Sequence, residues 1–312
     1  MSWADPGLWS GIRGAHLATL AALILGACES PPQNTDVVPF PITDSAPARR
    51  IITLAPHLTE LVYAAGAGDS LVGAVAFSDF PPAAARLPRI GDAFRVDYEA
   101  VVGLQPDLVL GWGSGTPAAS LDRLRQLGFR VVTLEAAVLE DIGDQLLMIG
   151  SLAGSERAAR AAADAYRNRL QRLRRRQSET RRLRVFYQLS ERPLSTVTSK
   201  HVIGQAIELC GGVNIFAGLA DAVPAVSIEA VLDAAPELIL ASKYGAGDPS
   251  ATLASWQDWP NVPAVQLGNL FMVDADLISR PSVRILDGVT ELCDTMDRAR
   301  LARLPIHAGD RG

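Results

Sequence analysis

The chain has 312 residues, of which 48% are hydrophobic, and a formal net charge of −5. This length is enough for two hydrophobic cores and the composition is typical of a globular protein, so two domains are expected. Ten Arg residues are concentrated in residues 155–182 and no recognised nucleic-acid-binding motif accompanies them, which excludes nucleic acid as a partner.

The N-terminus has the features of an exported lipoprotein. Residues 17–27 form an apolar run after Arg13 that is too short to remain as a membrane-spanning helix, so 1–27 is predicted to be a signal peptide. The run ends in small residues directly before Cys28, whose thiol is expected to carry a lipid. The Pro-rich segment 28–48 is predicted to be a flexible tether to a membrane.

Residues 49–154 alternate between strand and helix signals. Strands are predicted at 50–54, 71–75, 107–110 and 130–134, and helices at 59–67, 97–105, 118–127 and 139–152. Such alternation predicts an N-terminal α/β lobe with a mostly parallel sheet.

One long helix is predicted over residues 155–182. The apolar residues recur every three or four positions, and no Gly or Pro interrupts the run; they are Ala159, Ala162, Tyr166, Leu170 and Leu173. We interpret this segment as a helix linking two lobes, the alternative being an ordinary surface helix of one large domain.

Residues 183–300 repeat the order of the first lobe, and 301–312 form a tail. Strands are predicted at 184–189, 237–241 and 270–274, and helices at 201–210 and 228–235. Residues 99–110 and 229–240 align at a constant offset that also aligns Asp97 with Ser227. Duplication would place Glu99 and Glu229 at matching points, one on each lobe. The alternative is that the helix dipole simply favours acids in a first turn.

Three cysteines are present. With Cys28 assigned to the lipid, Cys210 and Cys293 remain as a pair in an oxidising compartment, where a disulfide is predicted. Two buried free thiols are the alternative.

The motifs required for the main alternative chemistries are incomplete. His16 lies in the signal peptide and His307 in the tail, so His57 and His201 cannot form a three-histidine zinc site, and no metal site is predicted. The segment around Ser114 lacks the glycines of a nucleophile elbow or a dinucleotide-binding loop. We therefore expect neither an enzyme nor a resident cofactor.

Aromatic residues follow several predicted strands. Rings near strand ends bury much area against a large ligand at low entropic cost. Each ring taken alone favours a place in a core, whereas four of them near strand ends together predict a cleft. His57 follows the first strand, where ligand sites form in α/β proteins, although a plain structural role at the helix start is equally compatible. The candidate ligand-binding residues are Pro56, His57, Phe77, Phe80, Phe94, Trp112, Tyr187 and Arg280.

Residues 49–296 resemble the helical-backbone class of substrate-binding proteins of ABC importers, and within it the cobalamin-binding members. The matching segments are ITLAPHLTELVYAAGAG from 52, FSDFPP from 77, LQPDLVLGW from 104, IELCGGVNIF from 207 and RPSVRIL from 280. The resemblance implies two α/β lobes with mostly parallel sheets joined by one backbone helix. A ligand would lie between the lobes, with little hinge closure.

The resemblance also implies partners. Glu99 and Glu229 match docking glutamates that meet Arg residues of an ABC permease dimer, which works with a cytoplasmic ATPase. Cys210 and Cys293 match the disulfide of the cobalamin binders. The expected function is capture of cobalamin or another corrinoid, as transported ligand, by a periplasmic, lipid-anchored receptor.

Two departures from the cobalamin binders leave the identity of the transported ligand open. Residues 222–226 lack the second-lobe Trp of those proteins, and Ala93-Phe94 replaces a first-lobe Trp, whereas Trp112 is kept. A ferric siderophore or haem is therefore the alternative cargo. Arg95, Lys200 and Arg280 could serve an anionic chelate, so charge does not decide between them.

Overall fold

The computed structural model describes residues 46–92, 94–176, 181–243 and 249–302. Several predictions fall outside these ranges: the signal peptide at 1–27, the lipid on Cys28, the tether up to residue 45, Ala93, residues 177–180 of the linking helix, and the tail from 303. No helix in the described ranges has the length and apolar character needed to span a membrane.

The first lobe contains one four-stranded parallel sheet. In chain order its strands and α-helices are β1 (Ile51–Thr53), α1 (Pro56–Ala64), β2 (Leu71–Ala74), α2 (Tyr98–Leu104), β3 (Leu108–Trp112), α3 (Ala118–Gln126), β4 (Val131–Leu134) and α4 (Asp141–Ala153). The strand order is β2-β1-β3-β4. The predicted alternation is confirmed. Helix α1 begins earlier than predicted because Pro56 occupies its first turn, where a missing N–H costs nothing.

The long helix α5 (Glu156–Arg176) follows. It buries the predicted stripe, with Ala163 taking the place of Ala162. Its 21 residues correspond to roughly 31 Å. The predicted end at residue 182 is wrong: Arg181 and Arg182 are not helical, and Arg181 pairs with Glu237 at 2.8 Å just before the next strand begins.

The second lobe repeats the sheet of the first. Its elements are β5 (Leu183–Gln188), β6 (Ser190–Glu191), β7 (Leu194–Ser195), α6 (Val202–Leu209), β8 (Gly212–Asn214), α7 (Ile228–Ala234), β9 (Leu238–Lys243), α8 (Pro249–Ala254), α9 (Pro263–Gln266), β10 (Leu270–Asp274), α10 (Ala275–Ile278) and α11 (Ile285–Leu301). Its parallel strands have the order β8-β5-β9-β10, the topology of the first lobe. The β6–β7 hairpin, β8 and helices α8 to α11 have no counterpart among the predicted elements.

The internal repeat extends to single hydrogen bonds. Asp97 caps α2 through the N–H of Ala100, and Ser227 caps α7 in the same way. Helices α2 and α7 end in left-handed residues, Gln105 and Ala235, with φ of 46° in both. The constant offset seen in the sequence is therefore a structural repeat.

The two lobes share a hydrophobic core along α5. One continuous cluster joins Leu58 and Leu146 of the first lobe, Tyr166 and Leu170 of α5, and Leu286 of α11. Each sheet has a separate smaller core on its other face. The linking helix is therefore packed into both lobes rather than holding them apart.

The predicted tether ends too late, because Ala48 already belongs to the folded part. Its side chain is buried and its N–H donates to the carbonyl of Leu152 at 2.8 Å. The described chain is thus fixed to α4 before β1 begins.

Candidate functional site

The strand order creates a switch point in the first lobe. Strand β1 lies between β2 and β3, so the connections that leave β1 and β3 run to opposite sides of the sheet. Ligands of open α/β sheets bind outside the carboxyl ends of strands at such a point. His57 follows β1 and Trp112 ends β3, and their ring centroids lie 5.1 Å apart in an edge-on arrangement. The structure therefore brings together two of the predicted site residues.

The loop after β3 supports the Trp112 indole. Gly115 lies against the ring, since a Cβ at this position would be 1.8 Å from an indole carbon. The carboxylate of Glu135 accepts hydrogen bonds from the Ser114 N–H at 2.6 Å and from the indole N–H at 3.4 Å. The glycines of this loop thus accommodate a ring and a carboxylate.

His57 is 4% exposed. Burial and, as the smaller contribution, the positive charge of Arg280 together lower its pKa to about 3. The imidazole is consequently neutral at neutral pH and available as a hydrogen-bonding group. Pro56 precedes it in the first turn of α1 and is half-buried.

Three phenylalanine side chains in the connection between β2 and α2 are exposed. The Phe77 side chain is 74% exposed, and its backbone has a positive φ of 63°. The Phe94 side chain is 77% exposed. Phe80 is half-covered by the guanidinium of Arg284, 3.9 Å from its ring centroid. Exposed large rings in a group are characteristic of a binding surface.

The loop that carries Phe94 is held rigidly. The carboxylate of Asp92 accepts the N–H groups of Phe94 and Arg95 at 2.8 and 2.9 Å, and these bonds lower the pKa of Asp92. Gly91 has φ of +108°, and a Cβ there would lie 1.9 Å from the Arg95 carbonyl oxygen. A tight turn therefore presents the Phe94 ring to solvent.

Arg280 lies where the two lobes meet. It follows α10 in the second lobe, and its guanidinium donates to Glu60 at 3.2 Å and to Asp79 at 2.8 Å, both in the first lobe. A third ion pair joins it to Asp276 at 2.8 Å. Burial opposes the charge of Arg280, but the bonds to its carboxylates outweigh burial and raise its pKa. Arg280 is thus the predicted second-lobe residue that reaches the first-lobe site.

Tyr187 does not present a surface to a ligand. It is 0% exposed, belongs to the core, and its hydroxyl is hydrogen-bonded to Ser242. The prediction of a ligand contact by Tyr187 is therefore wrong for this structure. Strand β5 is central in its sheet and is covered on both faces, a property that depends on the strand order.

The predicted disulfide between Cys210 and Cys293 is confirmed, and the alternative of two free thiols is wrong. The Cα atoms lie 4.8 Å apart, and the bond joins the end of α6 to α11.

Glu99 and Glu229 are exposed in the first turns of α2 and α7. Their role in docking stays a prediction.

Glu60, Ser282 and Arg284 belong to the site but were not among the predicted residues. Glu60 is buried, and its carboxylate accepts Arg284 Nε at 2.9 Å and Nη2 at 2.6 Å. The bond to Glu60 raises the pKa of Arg284, with burial acting against it. The available signal was an acid inside an otherwise apolar helix, because a buried carboxylate requires a partner.

Comparison with known proteins identifies the family. The family model described as periplasmic binding protein matches residues 51–277. A vitamin B12-binding protein of Vibrio cholerae serotype O1 is 38% identical over 258 residues, which cover 82% of this chain and 92% of that protein.

Solved structures agree with this result. The crystal structure of the periplasmic vitamin B12 binding protein BtuF of Vibrio cholerae superimposes with a TM-score of 0.74 at 37% identity, covering 82% of this chain and 99% of that one. The periplasmic heme-binding protein BhuT, in complex with two hemes, has a TM-score of 0.72 at 22% identity, with coverage of 81% and 99%. The latter likeness shows the fold alone. The two-lobed fold, the switch-point site and the matches over most of its length show that this chain belongs to the periplasmic binding protein family.

Proposed function

We propose that this chain captures a corrinoid, cobalamin in the first place, at the carboxyl ends of its strands. The observation that carries the proposal is the exposure of Phe77, Phe80 and Phe94, all in the connection between β2 and α2, together with Trp112 at the end of β3. We call these four residues the aromatic surface. A corrin ring is broad and largely apolar, so aromatic side chains that are exposed in the free protein gain favourable burial on its surface. Vitamin B12-binding proteins among the relatives support the choice of cargo.

The bound corrinoid is cargo rather than a cofactor, and the chain delivers it without changing it chemically. We infer that the receiving partner is an ABC permease dimer driven by a cytoplasmic ATPase. Glu99 and Glu229 support this inference, because each is exposed in the first turn of an equivalent helix. Neither carboxylate has an ion-pair partner among the described residues.

The site of action is the periplasm, where a lipid on Cys28 would hold the receptor at a membrane. The apolar run at 17–27 directly before Cys28 supports this anchor. A tether between Cys28 and the first described residues would let the folded part reach a permease in the same membrane.

Calorimetric titration of the purified chain tests the choice of cargo. We expect binding of cyanocobalamin at micromolar concentration or below. Haemin and a ferric siderophore are titrated in parallel. Binding of either one without binding of cyanocobalamin would show that the cargo is that chelate and not a corrinoid.

Variants locate the site in the same assay. Because a fully buried Phe side chain contributes about 1.5–3 kcal/mol, Phe94→Ala is expected to weaken binding roughly tenfold to a hundredfold. Leu301→Ala is the matched control, since Leu301 is 80% exposed at the end of α11. Equal affinity of the Phe94→Ala variant and the wild type would show that the Phe94 ring does not contact the ligand.

A further inference from the structure

Glu60 is the centre of a buried ionic cluster that crosses between the lobes. Its side chain is 1% exposed, and each of its four hydrogen bonds comes from a residue more than 200 positions later in the chain. The donors are Ser282, Arg280 and, through two nitrogens, Arg284. A bidentate guanidinium–carboxylate pair of this kind fixes orientation as well as distance.

The cluster divides into buried and exposed partners of Arg280. Glu60 is inaccessible to solvent, whereas the side chains of Asp79 and Asp276 are 55% and 52% exposed. An incoming ligand could therefore displace Asp79 or Asp276 from the guanidinium. It could not reach Glu60 without separating the lobes.

Charge supports the same division. Within the described residues, two guanidinium groups meet three carboxylates, and of these carboxylates only Glu60 bonds to both guanidinium groups. Neutralising Glu60 would leave Arg280 held solely by two carboxylates at the surface, with Arg284 repelling it nearby. The position of the Arg280 guanidinium would then depend on exposed carboxylates alone.

We propose that Glu60 is a positioning residue for ligand binding. Its buried carboxylate holds Arg280 at the boundary between the lobes, together with Arg284, whose guanidinium lies over the Phe80 ring. The Arg280 guanidinium can then donate to an oxygen-rich or anionic group of the cargo. For a corrinoid, such groups are the carboxamide oxygens and, in cobalamin, the phosphodiester. Asp79 and Asp276 occupy the exposed side of the guanidinium until that group arrives. This inference rests on the proposed function.

A double-mutant cycle tests whether Glu60 acts through Arg280. We expect Glu60→Gln to weaken cyanocobalamin binding at least tenfold, and Arg280→Met to weaken it by a similar factor. Because the first change acts by misplacing Arg280, it should cause little further loss in the Arg280→Met background. If the affinity loss of the double variant equals the product of the two single losses, the residues act independently and the proposal is overturned.

Controls separate positioning from simple destabilisation. Each titration is run at a temperature at which circular dichroism shows the variant to be folded. Glu208→Gln is the charge-matched control, since Glu208 is exposed on α6, and it should bind as the wild type does. Asp79→Asn removes an exposed competitor for Arg280 and is expected to leave affinity unchanged or increase it. A tenfold loss from Asp79→Asn would contradict the assigned roles.

A crystal structure of the Glu60→Gln variant gives a readout that does not depend on cargo. We expect the Arg280 guanidinium to move towards Asp79 and Asp276. An unmoved guanidinium would overturn the positioning role whatever the ligand is. Failure of the wild type to bind cyanocobalamin would instead refute the proposed cargo, and the cycle would then use the chelate that does bind.

Discussion

Burial determines the protonation of His57. The ring contacts the Trp112 indole edge-on, experiences the positive charge of Arg280, and is almost inaccessible to water. Both surroundings disfavour the imidazolium, so the pKa of about 3 lies well below the ordinary value of 6.5. The unfolded chain therefore binds one more proton than the folded chain between these two pH values.

This difference predicts a pH dependence of stability. The contribution of His57 is fully present above pH 6.5 and is lost as the pH falls towards 3, by about 1.4 kcal/mol per pH unit. Between pH 6.5 and 4.5, the wild type should lose about 2–3 kcal/mol more unfolding free energy than His57→Gln. Urea denaturation at the two pH values measures this difference, and equal losses would show that His57 does not titrate as described.

At the scale of elements, α5 is a structural part of both lobes. Its side chains Tyr166 and Leu170 belong to the core cluster shared by the two lobes. The Tyr166 hydroxyl also donates to the carbonyl of Leu139 at 2.8 Å, and Leu139 in turn donates its N–H to Gln205 of the second lobe at 3.0 Å. Continuity of the core and of these hydrogen bonds couples the lobes through one helix.

Shortening a buried side chain of α5 should therefore lower the stability of the whole molecule. Leu170 is 3% exposed, and Leu170→Ala is expected to lower the unfolding free energy by about 2–5 kcal/mol while a single transition is retained. Arg172→Ala changes an exposed residue two positions further along α5 and should have little effect. Two separate transitions, recorded by Trp fluorescence and circular dichroism, would contradict a shared core.

The disulfide joins two further elements, α6 and α11. Reduction or a Cys210→Ser/Cys293→Ser double substitution should lower the unfolding free energy by about 2–5 kcal/mol, because the bond closes a long loop in the unfolded chain. Denaturant titration with and without a reducing agent measures the change. The reducing agent should destabilise the wild type and leave the double variant unaffected; an effect on both would indicate another cause.

At the scale of the molecule, duplication gives each lobe the same acidic first turn. Helices α2 and α7 match in their caps, their lengths of 7 residues and their final left-handed residue. Two matching acidic surfaces would suit the proposed permease dimer. This reasoning leads to a prediction about delivery that is separate from ligand binding.

The double variant Glu99→Ala/Glu229→Ala is expected to lose corrinoid uptake in cells while binding cyanocobalamin with wild-type affinity. Both acids are exposed and are not among the candidate ligand-binding residues. Uptake of labelled cobalamin and calorimetry on the same variant separate the two functions. Glu208→Ala controls for the loss of an exposed acid, and normal uptake by the double variant would contradict docking through these residues.

Most of the secondary structure was predictable because its signals are local. Strand β10 was predicted to the residue, and the offset between 99–110 and 229–240 revealed the duplicated lobes. The three short helices α8 to α10 and the 17-residue helix α11 were missed. Of these, α11 carried a usable signal, since Leu286, Val289, Cys293 and Met296 recur at helical spacing.

The sequence by itself determined the alternating elements, the repeat, the cysteine pair and the aromatic residues at strand ends. These follow from spacing along the chain and from the preferences of individual residues. Tertiary structure alone decided that Tyr187 is buried, that the lobes share one core, and that Glu60 pairs with Arg284. Each of these depends on contacts between distant segments, and such contacts exist only after the sheets have formed and packed around α5.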